Sequence, residues 1–172
     1  MAGIKRIFLL SDTHGYVDDA ICRYAAQADE VWHAGDIGSE NVLESLSQSS
    51  ITLRAVFGNI DDTSLRKKWP EDAVFEIEGL KVWITHIGGY PGKYVRRVQQ
   101  KWNSIKPGLF ICGHSHILKV MYDSKNACLH MNPGAAGIHG FHQVRTALRF
   151  QVRAGKVENL EVIEFGKRAQ PL

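Results

Sequence analysis

The chain has 172 residues, enough for one well-formed hydrophobic core and too few for two ordinary domains, so we expect one domain over residues 1–172. Its 23% charged and 44% hydrophobic residues exclude a disordered chain, and its three cysteines argue against a disulfide-rich secreted scaffold. The formal net charge of +3 comes without a long basic run, so we expect no binding to duplex nucleic acid.

The cysteines and the N-terminus indicate where the protein resides. Cys22, Cys112 and Cys128 are odd in number and form no Cys-x-x-Cys pair, which favours a reducing compartment. The apolar run Ile7–Leu10 is too short for a signal-peptide core or a membrane span. We therefore expect a cytoplasmic protein without a membrane segment, and the sequence leaves a homo-oligomer open.

The first part of the chain alternates apolar runs with polar loops and helical patterns. Strands are predicted at Ile4–Leu10, Glu30–His33 and Ile51–Phe57. Apolar residues at three- and four-residue spacing predict helices over residues 17–28 and around Val42–Leu46. This order of strand, loop and helix favours a parallel α/β core.

The later part of the chain is richer in strands. Val74–Ile77 and Lys81–Thr85 are predicted to form a hairpin, and Tyr94–Ile105 a helix. Further strands are predicted at Phe110–Cys112, Leu118–Tyr122, Ala127–Met131, Thr146–Val152 and Val157–Phe165. Roughly ten strands with few helices are best housed in an α/β, or mixed α+β, fold that packs two mixed β-sheets between helices.

Short polar motifs interrupt the chain where five of the predicted strands end. They contribute two carboxylates, one carboxamide and four imidazoles: Asp12, His14, Asp36, Asn59, His86, His114 and His116. Because the carboxyl ends of strands in an α/β sheet face one crevice, we expect these side chains to converge. Such nitrogen and oxygen donors suit Mn²⁺, Fe²⁺, Co²⁺, Ni²⁺ or Zn²⁺. The set is too large for one tetrahedral ion and fits two ions that share a carboxylate.

Each motif alone has a simpler interpretation. Asp12-x-His14 could be a turn and a helix cap, and Gly35-Asp36 and Gly58-Asn59 are ordinary turn signals. His86 alone would be a core histidine, and His114-x-His116 alone could be a surface or core feature. The metal site is predicted by the joint occurrence of these motifs, each at the end of a strand.

The combined motifs resemble those of the calcineurin-like metallophosphoesterases, in particular their short bacterial and archaeal branch. The resemblance rests on Asp12-x-His14, Gly35-Asp36, Gly58-Asn59, Thr85-His86 and Gly113-His114-x-His116. Asn132-Pro133-Gly134-Ala135 is similar to the Asn-Pro-Gly-Ser segment of that branch, with Ala in place of Ser. The similarity extends from about Ile4 to Phe150 and implies a four-layer sandwich of two mixed β-sheets flanked by helices.

The resemblance also implies how the donors are divided between two ions. One ion would be held by Asp12, His14, Asp36 and His116, and the second by Asp36, Asn59, His86 and His114, with Asp36 bridging. The implied protein is a metal-dependent phosphoesterase for a small phosphate ester, with Mn²⁺ as the first choice of metal. Its nucleophile would be a hydroxide that bridges the two ions. We expect phosphodiesters as substrates, and phosphomonoesters are the alternative.

The proton donor of the larger family members is missing. Those members place a histidine directly after the Gly-Asn pair, where this chain has Ile60, so alkyl monoesters become less suitable substrates than phosphodiesters or activated esters. Asp61, His139 and His142 are candidate replacements. The alternatives are a turn or ligand-orienting role for Asp61 and loop-surface positions for the two histidines. His33 either orients a ligand through its ring or simply ends a strand.

The resemblance leaves two functions of this fold as alternatives to hydrolysis of small esters. The fold also serves as a non-catalytic protein-interaction scaffold in the small metallophosphoesterase-like subunit of the retromer coat. That subunit lacks part of the metal-binding pattern, whereas every donor type is present here. Nucleases of the family are generally larger and carry added DNA-binding elements, and this chain has neither the length nor a basic stripe.

Overall fold

The structure, a computed structural model, describes residues 3–47 and 50–168. Its strands are β1 (Lys5–Leu10), β2 (Glu30–His33), β3 (Thr52–Ala55), β4 (Asp72–Ile77), β5 (Leu80–Thr85), β6 (Gly89–Tyr90), β7 (Lys93–Tyr94), β8 (Leu109–Ile111), β9 (Leu118–Asp123), β10 (Cys128–Pro133), β11 (Val144–Arg153) and β12 (Lys156–Lys167). Its helices are α1 (Asp19–Ala25), α2 (Glu40–Leu46), α3 (Thr63–Lys68) and α4 (Arg96–Ile105).

The larger strands form two five-stranded sheets. The first has the order β12-β11-β1-β2-β3 and the second the order β4-β5-β8-β10-β9, while β6 and β7 pair with each other. Within the first sheet β1, β2 and β3 run parallel, and within the second β5, β8 and β10 do. The outer strands pair antiparallel, so both sheets are mixed, as predicted.

Alternating side chains pack the sheets into four layers. Ile7 and Leu9 of β1 face the second sheet, where they join a buried cluster with residues such as Val82. Phe8 and Leu10 face the other way, into a cluster that α1, α2 and α3 cover. Helix α4 covers the outer face of the second sheet through a third cluster around Trp102. Since an apolar run buried on both faces marks an inner strand, β1 lies at the centre of this arrangement. The predicted four-layer sandwich is confirmed.

The predicted hairpin forms between β4 and β5. Glu78 and Gly79 at its turn both have positive φ, 47° and 80°, as a two-residue type I′ turn requires. The helix predicted over residues 17–28 is shorter in the structure, where Asp18 caps the first turn of α1 by accepting a hydrogen bond from the Ile21 N–H. Helix α3 was not predicted. Only Leu65 of its six residues is buried, so the segment lacks an apolar face that a sequence pattern could reveal.

Among the described residues, no helix is both long and apolar enough to cross a membrane.

Candidate metal centre

The seven predicted donors lie in the loops that follow five strands. Asp12 and His14 follow β1, Asp36 follows β2, Asn59 follows β3, His86 follows β5, and His114 and His116 follow β8. Strands β1, β2 and β3 are parallel, as are β5 and β8, so within each sheet these loops emerge at the C-terminal ends of the strands. The structure brings all seven donors together where these ends of the two sheets meet.

The first group of donors consists of Asp12, His14 and His116, whose ligand atoms all lie within 4.8 Å of one another. The Nε2 atoms of His14 and His116 are 3.3 Å apart. The His116 Nε2 atom is 3.1 Å from Asp12 Oδ1. Burial lowers the pKa of His14, and the neutral imidazole that results is the form that binds a metal ion.

The second group consists of Asp36, His86 and His114, again within 4.8 Å. Asn59 joins this group, since its Oδ1 atom is 3.1 Å from His86 Nε2. The His86 Nδ1–H donates to the Ala34 carbonyl at 2.8 Å. That bond fixes the orientation of the ring and leaves Nε2 to face the donors of the site.

Asp36 stands between the two groups and presents one carboxylate oxygen to each. Its Oδ1 atom is 3.2 Å from His86 Nε2, and its Oδ2 atom is 3.7 Å from His14 Nε2. Burial raises the pKa of Asp36, but the hydrogen bond with His86, the charge of His86 and the Ile60 N–H outweigh burial and lower this pKa overall. A carboxylate that is ionised and turned to both sides is the donor that two cations can share.

Asp12 supplies the observation that tests whether cations fit. Its side chain is fully buried, and Oδ2 accepts hydrogen bonds from the Ser11 hydroxyl at 2.6 Å and the His114 N–H at 3.1 Å. Oδ1 is buried without a hydrogen-bond partner among the described residues, and it faces the Nε2 atoms of His116, His14 and His86 at 3.1, 3.9 and 4.0 Å. Buried polar atoms normally have partners, and an oxygen surrounded by imidazole nitrogens is satisfied by a divalent cation.

The backbone at the donors is held in an uncommon conformation. Five of them have positive φ: Asp12 at 53°, His14 at 49°, Asp36 at 53°, His114 at 69° and His116 at 57°. Residues with a side chain rarely adopt this left-handed region, and such residues concentrate at functional sites. This conformation occurs at both histidine-containing pairs, Asp12-x-His14 and His114-x-His116, and at Asp36 between them.

Two glycines let the loops approach the donors closely. A Cβ atom on Gly58 would lie 2.1 Å from Asp36 Oδ1, and one on Gly113 would lie 2.0 Å from the Ser11 hydroxyl oxygen. Neither contact is sterically allowed, so only glycine fits at these positions. Gly58 before Asn59 and Gly113 before His114 therefore leave the space that the neighbouring donor loops occupy.

A buried histidine supports the loop that carries Asp12 and His14. The Gly35 N–H donates to His33 Nδ1 at 3.2 Å, so the ring proton lies on Nε2, which is 2.9 Å from the Thr13 hydroxyl oxygen. The Thr13 hydroxyl in turn donates to the Ile37 carbonyl at 3.0 Å. Burial lowers the pKa of His33 to about 4, so the ring is neutral at physiological pH. His33 thus ends β2 and orients the donor loops through Thr13 and Gly35.

Comparison with known proteins identifies the family. The profile of the calcineurin-like phosphoesterase superfamily domain matches residues 6–155. The chain belongs to this superfamily. A protein of Methanothermobacter thermautotrophicus, described as "Probable metallophosphoesterase", is 26% identical over an aligned length of 115 residues, with 64% of this chain and 66% of that protein covered. The chain thus spans just under two thirds of that relative.

Solved structures of the superfamily fold resemble this one along nearly the whole chain. A structure described as a novel archaeal phosphodiesterase has a TM-score of 0.65 at 20% identity, with 93% of this chain and 99% of that chain covered. Wild-type Vps29 of Entamoeba histolytica in complex with Zn²⁺ has a TM-score of 0.63 at 16% identity, with 94% and 99% covered. These likenesses establish the shared fold.

The three candidate proton donors have different surroundings in this superfamily member. Asp61 is buried, and both its oxygens accept backbone hydrogen bonds, from the Gly38 N–H at 2.8 Å and the Gly58 N–H at 2.7 Å. These contacts favour the ligand-orienting alternative for Asp61, because they hold the loops of Asp36 and Asn59 together. His139 is exposed, with its ring 6.4 Å from that of His14.

His142 lies beside the first group of donors. Its ring is 5.2 Å from that of His116, and its Nε2–H donates to the Gly137 carbonyl at 2.9 Å. The Nδ1 atom is left without a partner among the described residues. Burial lowers the pKa of His142, so Nδ1 carries a lone pair at neutral pH. Of the three candidates, His142 is the one with an unpaired ring nitrogen next to a donor.

Some residues of the site were not singled out from the sequence. Asn132 is fully buried, and its amide donates to the Gly113 carbonyl at 2.9 Å and the Ser115 hydroxyl at 3.1 Å, which fixes the loop of His114 and His116. The Asn132-Pro133-Gly134 segment, which resembles a family motif, was the sequence feature that could have indicated this role. Ile117 and Phe141 line the crevice, and no sequence pattern indicated their position.

Proposed function

We propose that this chain is a binuclear metal-dependent phosphoesterase that acts on phosphodiesters. The observation that carries the proposal is Asp36, which turns one oxygen to each of two His/Asp groups. A single-ion site or a purely structural cluster has no need of a central carboxylate placed in this way. The superfamily membership supports the same activity.

The residues of each group would hold one divalent ion. Asp12, His14 and His116 with Asp36 would hold the first, and Asn59, His86 and His114 with Asp36 the second. When bound, two such ions lower the pKa of water and polarise phosphoryl oxygens. The donor set suits Mn²⁺, Fe²⁺, Co²⁺, Ni²⁺ and Zn²⁺, and we propose Mn²⁺ as the metal in the cell.

Neighbouring side chains orient the donors and shift the pKa of His86. His33 and Thr13 hold the first donor loop, and Asp61 holds the loops of Asp36 and Asn59 against each other. Burial lowers the pKa of His86, but the hydrogen bond with Asp36 and the nearby carboxylates outweigh burial and raise it overall, so a cation bound at His86 would compete with a proton for the ring nitrogen.

Two features support diesters over monoesters. Ile60 occupies the position of the usual proton donor, and an alkyl side chain cannot protonate a poor leaving group. Among the described residues, the cavity that His14, Asp36 and His116 line has no lysine or arginine to balance the second negative charge of a monoester, and Arg66 and Arg97 line the neighbouring cavity beside Asn59 and His86. A singly charged diester therefore suits the crevice better.

The proposal is tested by adding metal back to chelator-treated protein. Mn²⁺, Ni²⁺ or Zn²⁺ should restore hydrolysis of bis(4-nitrophenyl) phosphate, with the corresponding monoester cleaved more slowly. Asp36→Asn and His116→Ala should each lose activity at least about 100-fold. Equal activity in these variants would identify a contaminating enzyme. Uptake of metal without hydrolysis of either ester would favour the scaffold alternative.

The proton donor is tested separately with Asp61→Ala, His139→Ala and His142→Ala. A proton donor should lose the alkaline limb of the pH profile, since its protonated form is required. His142 is the candidate we expect to show this loss, because its unpaired Nδ1 can take up a proton and then donate it. Since burial lowers the pKa of His142, the alkaline limb of the wild type should begin below pH 6.5. If all three variants kept full activity across pH, none of them would be the donor.

We also propose a cytoplasmic location. Cys22, Cys112 and Cys128 are all free thiols, which persist in a reducing compartment. Fractionation of the source cells would test this, and recovery of the protein outside the cytoplasm would contradict it.

A further inference from the structure

Three exposed apolar side chains surround the candidate metal centre. Ile60 is 46% exposed, Ile117 is 58% exposed and Phe141 is fully exposed. They line the same cavity of about 520 Å³ as His14, Asp36 and His116. We call these three side chains the apolar rim. Single exposed apolar residues are common, but three at the mouth of one polar crevice indicate a surface that becomes covered when a ligand binds.

Hydrogen bonds fix the segments that carry the apolar rim. The Ile60 N–H donates to Asp36 Oδ1 at 3.1 Å, and the Ile117 N–H donates to the Ser115 hydroxyl at 3.3 Å. Phe141 directly precedes His142, whose ring donates to the Gly137 carbonyl at 2.9 Å. The apolar rim is therefore attached to the donor loops themselves, and its position relative to the donors is set by the same contacts.

The chemistry of the cavity changes from its floor to its mouth. The floor consists of carboxylates and imidazoles that suit cations and, through them, a phosphoryl group. Ile60, Ile117 and Phe141 at the mouth offer neither charge nor hydrogen bonds to a substituent of the ester. A charged substituent, such as a second phosphate, would be placed against hydrocarbon there and lose solvation. An apolar, flat substituent would instead bury surface against the apolar rim and stack on the phenyl ring.

We propose that the apolar rim selects phosphodiesters in which one ester substituent is aromatic, with Phe141 as the specificity-determining residue. This proposal rests on the proposed function and specifies the substrate class of the same site. An aryl group and a nucleobase share the required flat aromatic surface, and the substrates chosen below distinguish them.

The test uses three diesters that all release 4-nitrophenolate. Their second substituents are methyl, phenyl and the 5′-carbon of thymidine, so the leaving group stays constant while the retained substituent changes. We expect kcat/KM for the phenyl and thymidine diesters to exceed that for the methyl diester. In Phe141→Ala this preference should fall about tenfold, which is the usual effect of removing one stacking aromatic side chain. Phe141→Leu, which keeps apolar surface but cannot stack, should give an intermediate value.

The control is Tyr122→Ala. Tyr122 is also aromatic and 63% exposed, but it lies on β9 outside the cavity lining. Its removal should change neither the activity nor the substrate preference. Melting temperatures of the variants should equal that of the wild type, since both side chains lie largely in solvent.

A binding measurement supplies a readout that does not depend on turnover. Phenylphosphonate should bind the Mn²⁺-loaded protein more tightly than methylphosphonate by titration calorimetry, and Phe141→Ala should remove most of the difference.

The inference is overturned if the wild type hydrolyses all three diesters without preference, or if Phe141→Ala leaves the preference intact. A preference for the phenyl over the thymidine diester would restrict the site to aryl groups, and the reverse would identify a nucleobase site. Hydrolysis of none of them would instead overturn the proposed function.

Discussion

Replacing Asp12 with asparagine should separate the stability of the metal-free protein from its ability to bind metal. In the native protein Asp12 Oδ2 accepts two hydrogen bonds, and Oδ1 faces His116 Nε2 at 3.1 Å without a partner. An asparagine can keep its side-chain oxygen where Oδ2 lies and place its amide nitrogen where Oδ1 lies, from which it can donate to His116. Asparagine also tolerates the φ of 53° at this position.

The expected magnitudes follow from burial and linkage. Without metal, Asp12→Asn should be at least as stable as the wild type, because it removes a buried charge with an unpaired oxygen. An ion present at a thousand times its dissociation constant stabilises the folded protein by about 4 kcal/mol. If the lost carboxylate weakens binding about 100-fold, only about 1.4 kcal/mol of that stabilisation is left. For a chain of this size the two values correspond to shifts in Tm of roughly 10 °C and 4 °C.

The assay is thermal unfolding of chelator-treated protein with and without added Mn²⁺ or Zn²⁺. Asp29→Asn is the matched control, because Asp29 pairs with Arg6 at 2.7 Å away from the donors. It should change the metal-free stability by at most about 1 kcal/mol and leave the metal-induced shift unchanged.

Two results would refute the reasoning. A full metal-induced shift in Asp12→Asn would mean that Asp12 does not contribute to a metal site. A metal-free variant that is less stable than the wild type by several kcal/mol would mean that the carboxylate has a structural partner in the absence of metal.

Three further predictions concern other parts of the molecule. Gly58→Ala should abolish metal-dependent activity and destabilise the fold by about 1–3 kcal/mol, because its Cβ would lie 2.1 Å from Asp36 Oδ1. Gly92→Ala should also cost some stability, because Gly92 has a φ of 81°, but its Cβ would meet no atom within 4 Å, so metal uptake should stay intact in calorimetry. His130 is buried with both ring nitrogens unpaired among the described residues, and burial lowers its pKa to about 4. Below pH 6.5 the unfolded state binds the extra proton, so His130 should contribute about 3 kcal/mol to the loss of stability between pH 6.5 and 4. His33, whose pKa is also about 4, adds to the same limb, so His130→Leu should reduce the slope of this limb in urea titrations without removing it. Asp61→Asn should lower both stability and kcat without shifting the alkaline limb of the pH profile, and a shifted limb would make Asp61 a proton donor instead.

The positions of the donors could be predicted because the strands before them are easy to recognise. The run before Asp12 is apolar on both faces, as an inner strand must be, and its end is marked by the first polar residues. The same holds for His86 after β5 and for His114 after β8. Once the strands were placed, the parallel order within each sheet predicted that the ends of its strands would lie together.

Other parts of the site depend on contacts that no local pattern reports. Asp61 was singled out for its position after Asn59, but its hydrogen bonds to the N–H groups of Gly38 and Gly58 depend on how the loops after β2 and β3 pack together. Phe141 carries no sequence signal, because a loop phenylalanine is more often packed on its own domain. Its full exposure beside the donors became visible only in three dimensions.

The backbone conformation of the donors shows most clearly why the sequence alone is insufficient. A left-handed conformation costs a residue with a side chain about 1–2 kcal/mol, so local preferences argue against it at each donor. The Asp12 N–H donates to the Gly35 carbonyl at 3.0 Å, and the His14 N–H donates to the Asp36 carbonyl at 3.0 Å. These bonds join loops that follow different strands, so they depend on the pairing of β1 with β2. Short motifs such as Asp-x-His can therefore be recognised in the sequence, whereas the geometry that makes them a metal site is imposed by the sheet that holds them.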